Sequence, residues 1–340
     1  MNNKTKKAFS RRDFIQAAGA AGLAGAAAGV APLAYAQSVA AWPNKPIKFV
    51  VGFAPGGLAD NLPRLIAPAM SERLGQQIII ENRTGAAGNL ATTFVAKAPP
   101  DGYNILATSV GQIVVSPHTS ASLSVNPLTD LKHISMIGEG DQILNINAAV
   151  PAQTLAEFIA LAKKAPGTMF YGDAGAGGSL HLYLEYFKML AGIDLQPVHY
   201  RGTSHLLPDF LTNRVQLSLN GYPAIEGYIR EGKLRPLMLV GRQRDPRMPG
   251  VPTAAEAGFK PMEACSNWFG LHAPKDTPDA IVQRLHAALV DALKTDAVKA
   301  GLATNAIRAV GDTPQAFTSR IAADYEAFGK VARSAKIQAE

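Results

Sequence analysis

Three loops hold residues whose types and spacing could do chemistry, and all three point to holding an anion rather than to breaking bonds. The first is Phe53-Ala54-Pro55-Gly56-Gly57-Leu58-Ala59-Asp60, directly after an apolar run. Gly56 and Gly57 free the backbone for a tight turn and let a ligand approach closely. The helix expected behind them presents unpaired N–H groups and a positive dipole end, which suit a carboxylate. Asp60 reads as the N-cap of that helix and also as a candidate ligand contact. The loop lacks the Lys-Ser/Thr of a phosphate-gripping loop and the spacing of a dinucleotide loop. The second loop is Gly172-Asp173-Ala174-Gly175-Ala176-Gly177-Gly178-Ser179. Its glycines again leave N–H groups at a helix mouth, with Ser179 as the expected N-cap. Asp173 is discordant there, because a carboxylate repels an acidic ligand unless a donor stands between them. The third is Thr108-Ser109-Val110-Gly111-Gln112, with hydroxyls at the carboxyl end of a strand, where open α/β sheets bind ligands. Phe53, Ala54, Gly56, Gly57, Asp60, Thr108, Ser109, Asp173, Ala174, Gly175, Gly177 and Ser179 are therefore candidate ligand-binding residues.

Signs of catalysis are poor. There is no Gly-x-Ser-x-Gly elbow. The seven histidines are scattered, and His199 and His205 do not have a standard metal spacing. His181 falls one turn into the helix after the Gly-rich loop, where packing suits it better than base chemistry, though it stands close enough to count among the ligand-binding candidates. The single cysteine, Cys265, cannot form an intrachain disulfide and reads as a small buried hydrophobe. No catalytic residue, metal or cofactor is expected.

Alternating strands and helices must position these loops. Ile47 to Phe53 is a buried-strand run bounded by Pro and Gly. Leu62, Leu65, Ile66, Ala69, Met70 and Leu74 recur at helical spacing, and Gly75 stops that helix. Strands at 78–80 and 103–108 with a weak helix over 86–98 complete a parallel unit with right-handed crossovers. The pattern restarts near Ile143. Thr154 to Glu157 and Thr253 to Glu256 read as capping boxes that open helices. Leu180, Tyr183, Leu184, Phe187 and Ala191 form a helical face. Two C-terminal helices each open with Thr-Pro, at Thr277-Pro278 and Thr313-Pro314. Two extended stretches, 142–148 and 266–273, suit a chain that crosses between lobes and back. The expected division is 42–145 plus 264–340 for lobe one and 146–263 for lobe two.

The first 36 residues read as an export signal. Lys4, Lys6, Lys7, Arg11 and Arg12 precede an Ala/Gly-rich apolar stretch, and Ala34-Tyr35-Ala36 fits a cleavage site. Ser10-Arg11-Arg12-Asp13-Phe14-Ile15 has the twin-arginine pattern. This segment carries +4 of the formal +7, so the mature chain is near +3. That is no footprint for nucleic acid, and a periplasmic monomer is expected.

In this order, the loops resemble those of the tricarboxylate-transport and Bordetella-uptake-gene (Bug) family of periplasmic solute receptors. The resemblance is carried by Trp42-Pro43-Asn44-Lys45-Pro46-Ile47, the Phe53 to Gly57 loop with Asp60, and Glu81-Asn82-Arg83-Thr84-Gly85-Ala86-Ala87-Gly88-Asn89. It continues through Pro100-Asp101-Gly102-Tyr103, Tyr200-Arg201-Gly202, Val251-Pro252-Thr253 with Glu256-Ala257-Gly258, and Trp268-Phe269-Gly270. It implies a two-lobe α/β fold of the type II periplasmic-binding class, joined by two crossing hinge strands. It implies a carboxylate held through backbone N–H groups and bridging waters, which tolerate varied ligands. Tyr200, Arg201, Gly202, Asn220 and Trp268 enter the ligand-binding list on this basis. The partner it implies is a membrane tripartite tricarboxylate transporter, with a signalling partner, or less readily an exported enzyme, as alternatives. Asp173, Leu180, Arg201 and Asn220-Gly221 depart from the family's usual residues. Leu180 and Gly221 would make the distal pocket more apolar or roomier, which points to a bulky or aromatic acid.

Overall fold

The computed structural model describes residues 42–120 and 123–337, so the export signal lies outside the described residues. Among the described residues, those from Lys45 onward form one compact unit. The β-branched run of β1 (Ile47–Val51) buries Ile47, Phe49, Val50 and Val51 completely. It sits between β2 (Ile78–Asn82) and β3 (Asn104–Ser109) in parallel register, as buried apolar strands joined by helices require. Helix α1 (Leu58–Leu74) buries Leu62, Ile66, Met70 and Leu74 and stops at Gly75, whose φ is 71°. The weak helix expected over 86–98 divides into a 3-10 turn, Ala86–Gly88, and α2 (Asn89–Ala96).

Strand β4 (Leu131–Gly140) finishes the chain's first pass through this sheet, and β5 (Gln142–Asn147) is an interior strand of a second one. The change of sheet falls at Asp141. Residues 142–145, which the sequence placed in lobe one, already pair in the second sheet, Gln142 with Gly221 and Val240. The second sheet has the order β7-β6-β8-β5-β9 and is built with α3 (Leu155–Lys164), β6 (Phe170–Asp173), α4 (Ser179–Ala191), β7 (Gln196–His199), α5 (Thr203–Leu211), β8 (Leu217–Gly221), α6 (Tyr222–Arg230) and β9 (Leu234–Val240). The chain then returns through β10 (Asn267–Pro274), which lies antiparallel between β4 and β3. Asn267 pairs with Gly140, so the outgoing and returning crossings run side by side. Helices α7 (Asp279–Leu293) and α8 (Asp296–Thr304), edge strand β11 (Arg308–Ala309) and α9 (Pro314–Ser334) complete the first lobe.

Three local expectations change. Thr253 and Glu256 make both bonds of a capping box, at 2.8 and 3.3 Å, yet no α-helix follows. Gly258 turns the chain at φ 83°, and Pro261 lies in a short 3-10 turn, Lys260–Cys265. Thr277 is not a cap: it is buried, and α7 starts after Pro278. The C-terminal part contains α8 besides the two expected helices. At Thr313 the cap is as read, with its hydroxyl accepting from the Ala316 N–H at 3.2 Å.

Gly172 in β6 fills a tight place under the Gly-rich loop. A Cβ there would lie 2.1 Å from Leu206 Cδ1, 3.2 Å from Val215 Cγ2 and 3.3 Å from Tyr200 Cε2. Gly172→Ala is expected to destabilise by about 1–3 kcal/mol through overpacking. Urea unfolding reads this directly, and an unchanged midpoint would refute the packing account.

Candidate functional site

A cavity of about 420 Å³ opens between the two lobes. The first residues of four helices line it: Leu58 of α1, Ser179 of α4, Thr203 of α5 and Tyr222 of α6. Each of these helices has glycine at its N-cap (Gly57, Gly178, Gly202 and Gly221), and none has a side-chain cap bond. Of the helices away from the cavity, Thr154 caps α3 and Thr313 caps α9 through their hydroxyls, whereas α2, α7 and α8 also lack a side-chain cap bond. Four helix mouths therefore face one cavity with their first-turn N–H groups uncapped by side chains, a set of donors and positive dipole ends for an anion. Among the described residues, no Lys, Arg or His side chain lines it. Asn220, 1 % exposed, also lines it, and its Nδ2 has no hydrogen-bond partner. A buried amide donor without an acceptor is costly, and a ligand oxygen would satisfy it. Leu58, Leu180, Tyr222, Pro223 and Ile307 give the remaining wall its apolar character.

A second cavity of about 680 Å³ lies on the other side of the Ala174–Ser179 loop. Phe53, Ser109 and Gln112 line it, together with Ala86 and Ala87, which both hold positive φ (48° and 53°). Thr119 in the first lobe donates its hydroxyl to Gly177 O in the second, at 3.0 Å. This bond ties the Gly-rich loop across the cleft.

The structure brings some of the sequence candidates together and removes others. Ala174, Gly175, Ser179 and Asn220 line the main cavity, Phe53, Ser109 and Gly177 the second one. Ala54, Gly56 and Gly57 are exposed on the loop before Leu58. Asp60 is not the N-cap of α1. It sits in the first turn, 1 % exposed, and accepts from Gly56 N–H, Asn82 Nδ2 and Arg64. The Arg64 hydrogen bonds lead in lowering its carboxyl to about 2. With both oxygens used, Asp60 shapes the loop rather than meeting a ligand. Ser179 is also not a cap, because Gly178 holds that position.

Thr108 is buried and stands 2.8 Å from His272 Nε2, away from the cavities. Asp173 is fully buried and accepts from Gly175 N–H at 2.7 Å and His199 Nδ1 at 2.8 Å. Those donors remove the expected repulsion, so Asp173 braces the loop. His181 Nδ1 accepts from Gly177 N–H at 3.0 Å, a second brace. Tyr200 donates to Asp209 at 2.9 Å, and Arg201 is exposed. Trp268 is fully buried and donates its indole N–H to Asp324 at 3.0 Å, so it belongs to the core and not to the ligand surface. Trp-Phe-Gly was legible as a motif but not as a direction, since β10 presents successive side chains to opposite faces.

Sequence reading missed Asp141, Gln142, Thr203, Tyr222, Asn267 and Ile307, all of which line the main cavity. Tyr222-Pro223 could have been found, since Pro in a first turn marks a helix start. Nothing local marks the others.

The chain from Thr108 through His272 to His133, with 2.8 Å between His272 Nδ1 and His133 Nδ1, is buried throughout. Burial lowers His133 to about 4. A folded pKa below the unfolded value means that its contribution to stability is complete above about 6.5 and is lost as pH falls toward 4. Replacing His133 with Leu should therefore make the loss of stability between pH 6.5 and 4.5 shallower in urea titrations. An unaltered slope would show that His133 is not held neutral by the fold.

The tripartite tricarboxylate transporter family receptor pattern matches residues 62–336. BugT of Bordetella pertussis is 31 % identical over 304 residues, covering 89 % of this chain and 93 % of BugT. A protein from the gbd 5' region of Cupriavidus necator is 35 % identical over 285 residues, covering 84 % of this chain and 85 % of that one. Among solved structures, an R. palustris protein with adipate is 32 % identical with a TM-score of 0.73, covering 88 % of this chain and 100 % of that chain. MatC from Rhodopseudomonas palustris with bound malate is 29 % identical with a TM-score of 0.70, covering 85 % and 99 %. The two-lobe periplasmic-binding fold expected from the sequence is the fold observed.

Proposed function

We propose, from the premise that the chain belongs to the tripartite tricarboxylate transporter receptor family, that it captures an organic carboxylate in the interlobe cavity and releases it to a membrane transporter. The single observation that carries this reading is the convergence of four glycine-capped helix mouths on that cavity. A carboxylate placed there would take hydrogen bonds from backbone N–H groups and the Asn220 amide without a basic side chain. Hydrogen bonds to an ionised acceptor are roughly twice as strong as neutral ones. The proposed role stops at binding, with the backbone N–H groups of the helix mouths and the Asn220 amide as donors to a held anion.

Closure uses the two crossings at Gly140–Gln142 and Asn267, which lie side by side and can flex as one hinge. The Thr119–Gly177 bond would lock the closed form. The apolar wall from Leu58, Leu180, Tyr222, Pro223 and Ile307 favours a long or aromatic acid over citrate. Export to the periplasm through the twin-arginine segment, cleaved near Ala36, belongs to the same proposal.

Thermal unfolding of residues 37–340 against a carboxylate panel tests the reading. A ligand at 100 times its Kd adds about 2.7 kcal/mol. Adipate, malate and benzoate are the first probes, and the ligand should be recovered unchanged. If no carboxylate shifts the transition, the reading fails. If citrate gives the largest shift, the apolar wall does not set specificity.

A further inference from the structure

The main cavity holds one carboxylate that the fold leaves alone. Asp141 stands at the change of sheet, half-buried, and lines the cavity. No hydrogen bond or ion pair reaches it from the described residues. The cations near it are committed: Arg308 to Glu139, and Arg247 to Asp245 at 2.6 Å. Its place is nevertheless built. A Cβ on Gly241 would lie 2.4 Å from its Cγ and 2.5 and 2.7 Å from its two oxygens, so only glycine at 241 leaves room for it.

We propose that the ligand is a carboxylate that also carries a cationic nitrogen, its carboxylate toward the glycine-capped helices and its cation toward Asp141. This holds if the cavity is the ligand site proposed above. A partly buried charge without a partner is destabilising until something compensates it. A neutral donor would satisfy one oxygen and leave the charge, whereas an ammonium group satisfies both needs. The helix mouths and Asp141 then have opposite preferences, which fixes the ligand's orientation.

Burial pushes the Asp141 carboxyl up to about 6, with Arg308 and Arg247 opposing and Glu139 and Asp245 adding to the shift. Ionised Asp141 is needed to hold a cation, so affinity for such a ligand rises as pH increases through about 6. A dicarboxylate shows the opposite trend, because only protonated Asp141 tolerates a second carboxylate beside it.

The probes are 6-aminohexanoate and adipate, equal in chain length and different at one end. Calorimetry at pH 5 and pH 8 compares the parent with Asp141→Asn. In the parent at pH 8, 6-aminohexanoate should bind at least tenfold tighter than adipate. Asp141→Asn should remove that preference and the rise of 6-aminohexanoate affinity with pH. Gly241→Ala, which displaces the Asp141 side chain and keeps its charge, should weaken 6-aminohexanoate alone. Unfolding midpoints of both variants without ligand show whether they are folded. If adipate binds tighter at pH 8 and Asp141→Asn alters neither ligand, the inference is overturned while the carboxylate site stands. If neither probe nor any other carboxylate binds, the reading of the cavity itself has failed, and this inference falls with it.

Discussion

Gly221→Asp is expected to leave the ligand-free protein as stable as the parent, or a few tenths of a kcal/mol more stable, while weakening carboxylate binding about 100-fold or more. Gly221 caps α6 with φ −67° and ψ 145°, a conformation open to any residue, and a Cβ there would meet nothing closer than Pro223 Cδ at 4.0 Å. The new side chain can therefore take the ordinary capping position. Pro223 has no N–H to give, so the introduced carboxylate would accept from the Ala224 N–H, a group that lines the cavity. It would thus take a ligand donor and place a like charge beside the ligand. Two such charges about 4 Å apart repel by about 4 kcal/mol at an effective dielectric of 20, and a 100-fold loss of affinity is only about 2.7 kcal/mol. Urea unfolding without ligand and calorimetry with it read the two effects separately. Stability should hold while binding collapses, as where a binding site omits a stabilising cap. Equal affinity in the parent and the variant would show that the α6 mouth does not face the ligand.

The second large effect is on stability alone. Trp268 packs edge-on against Phe317, with ring centroids 5.2 Å apart and planes at 82°, and its N–H reaches Asp324. Asp324 in turn holds Arg320, which reaches Ser266 at 3.0 Å. Trp268→Ala should cost about 3–5 kcal/mol from the cavity it leaves. Trp268→Phe should cost about 1–3 kcal/mol, since the ring volume is mostly kept but a buried acceptor loses its donor. The carboxylate affinity of the folded fraction should be unchanged in both. A large fall in affinity with little change in unfolding would return Trp268 to the binding surface.

These two residues mark the limits of what the sequence alone says. The apolar run of β1, the helical period from Leu62 to Leu74 and the stop at Gly75 are local signals. Backbone sterics and burial act over a few residues, so the elements and their alternation were legible. The same holds for the Gly-rich loops, because glycine before a helix exposes its N–H groups whatever surrounds it. Direction was not legible. Whether Trp268, Asp60 or Thr108 faces a ligand depends on partners far along the chain: Asp324, Asn82 and His272. Each of these polar groups was claimed by a partner within the fold, because an unsatisfied polar group in a core costs more than a ligand contact at its edge contributes. The choice of Gly221 over other glycines, and the isolation of Asp141, likewise came only from the crossing of chain between two sheets at 141 and 267. The sequence by itself determined which segments could cradle an anion. Tertiary packing decided which of their side chains remained free to do so, since burial commits a donor or an acceptor once and leaves the rest for the ligand.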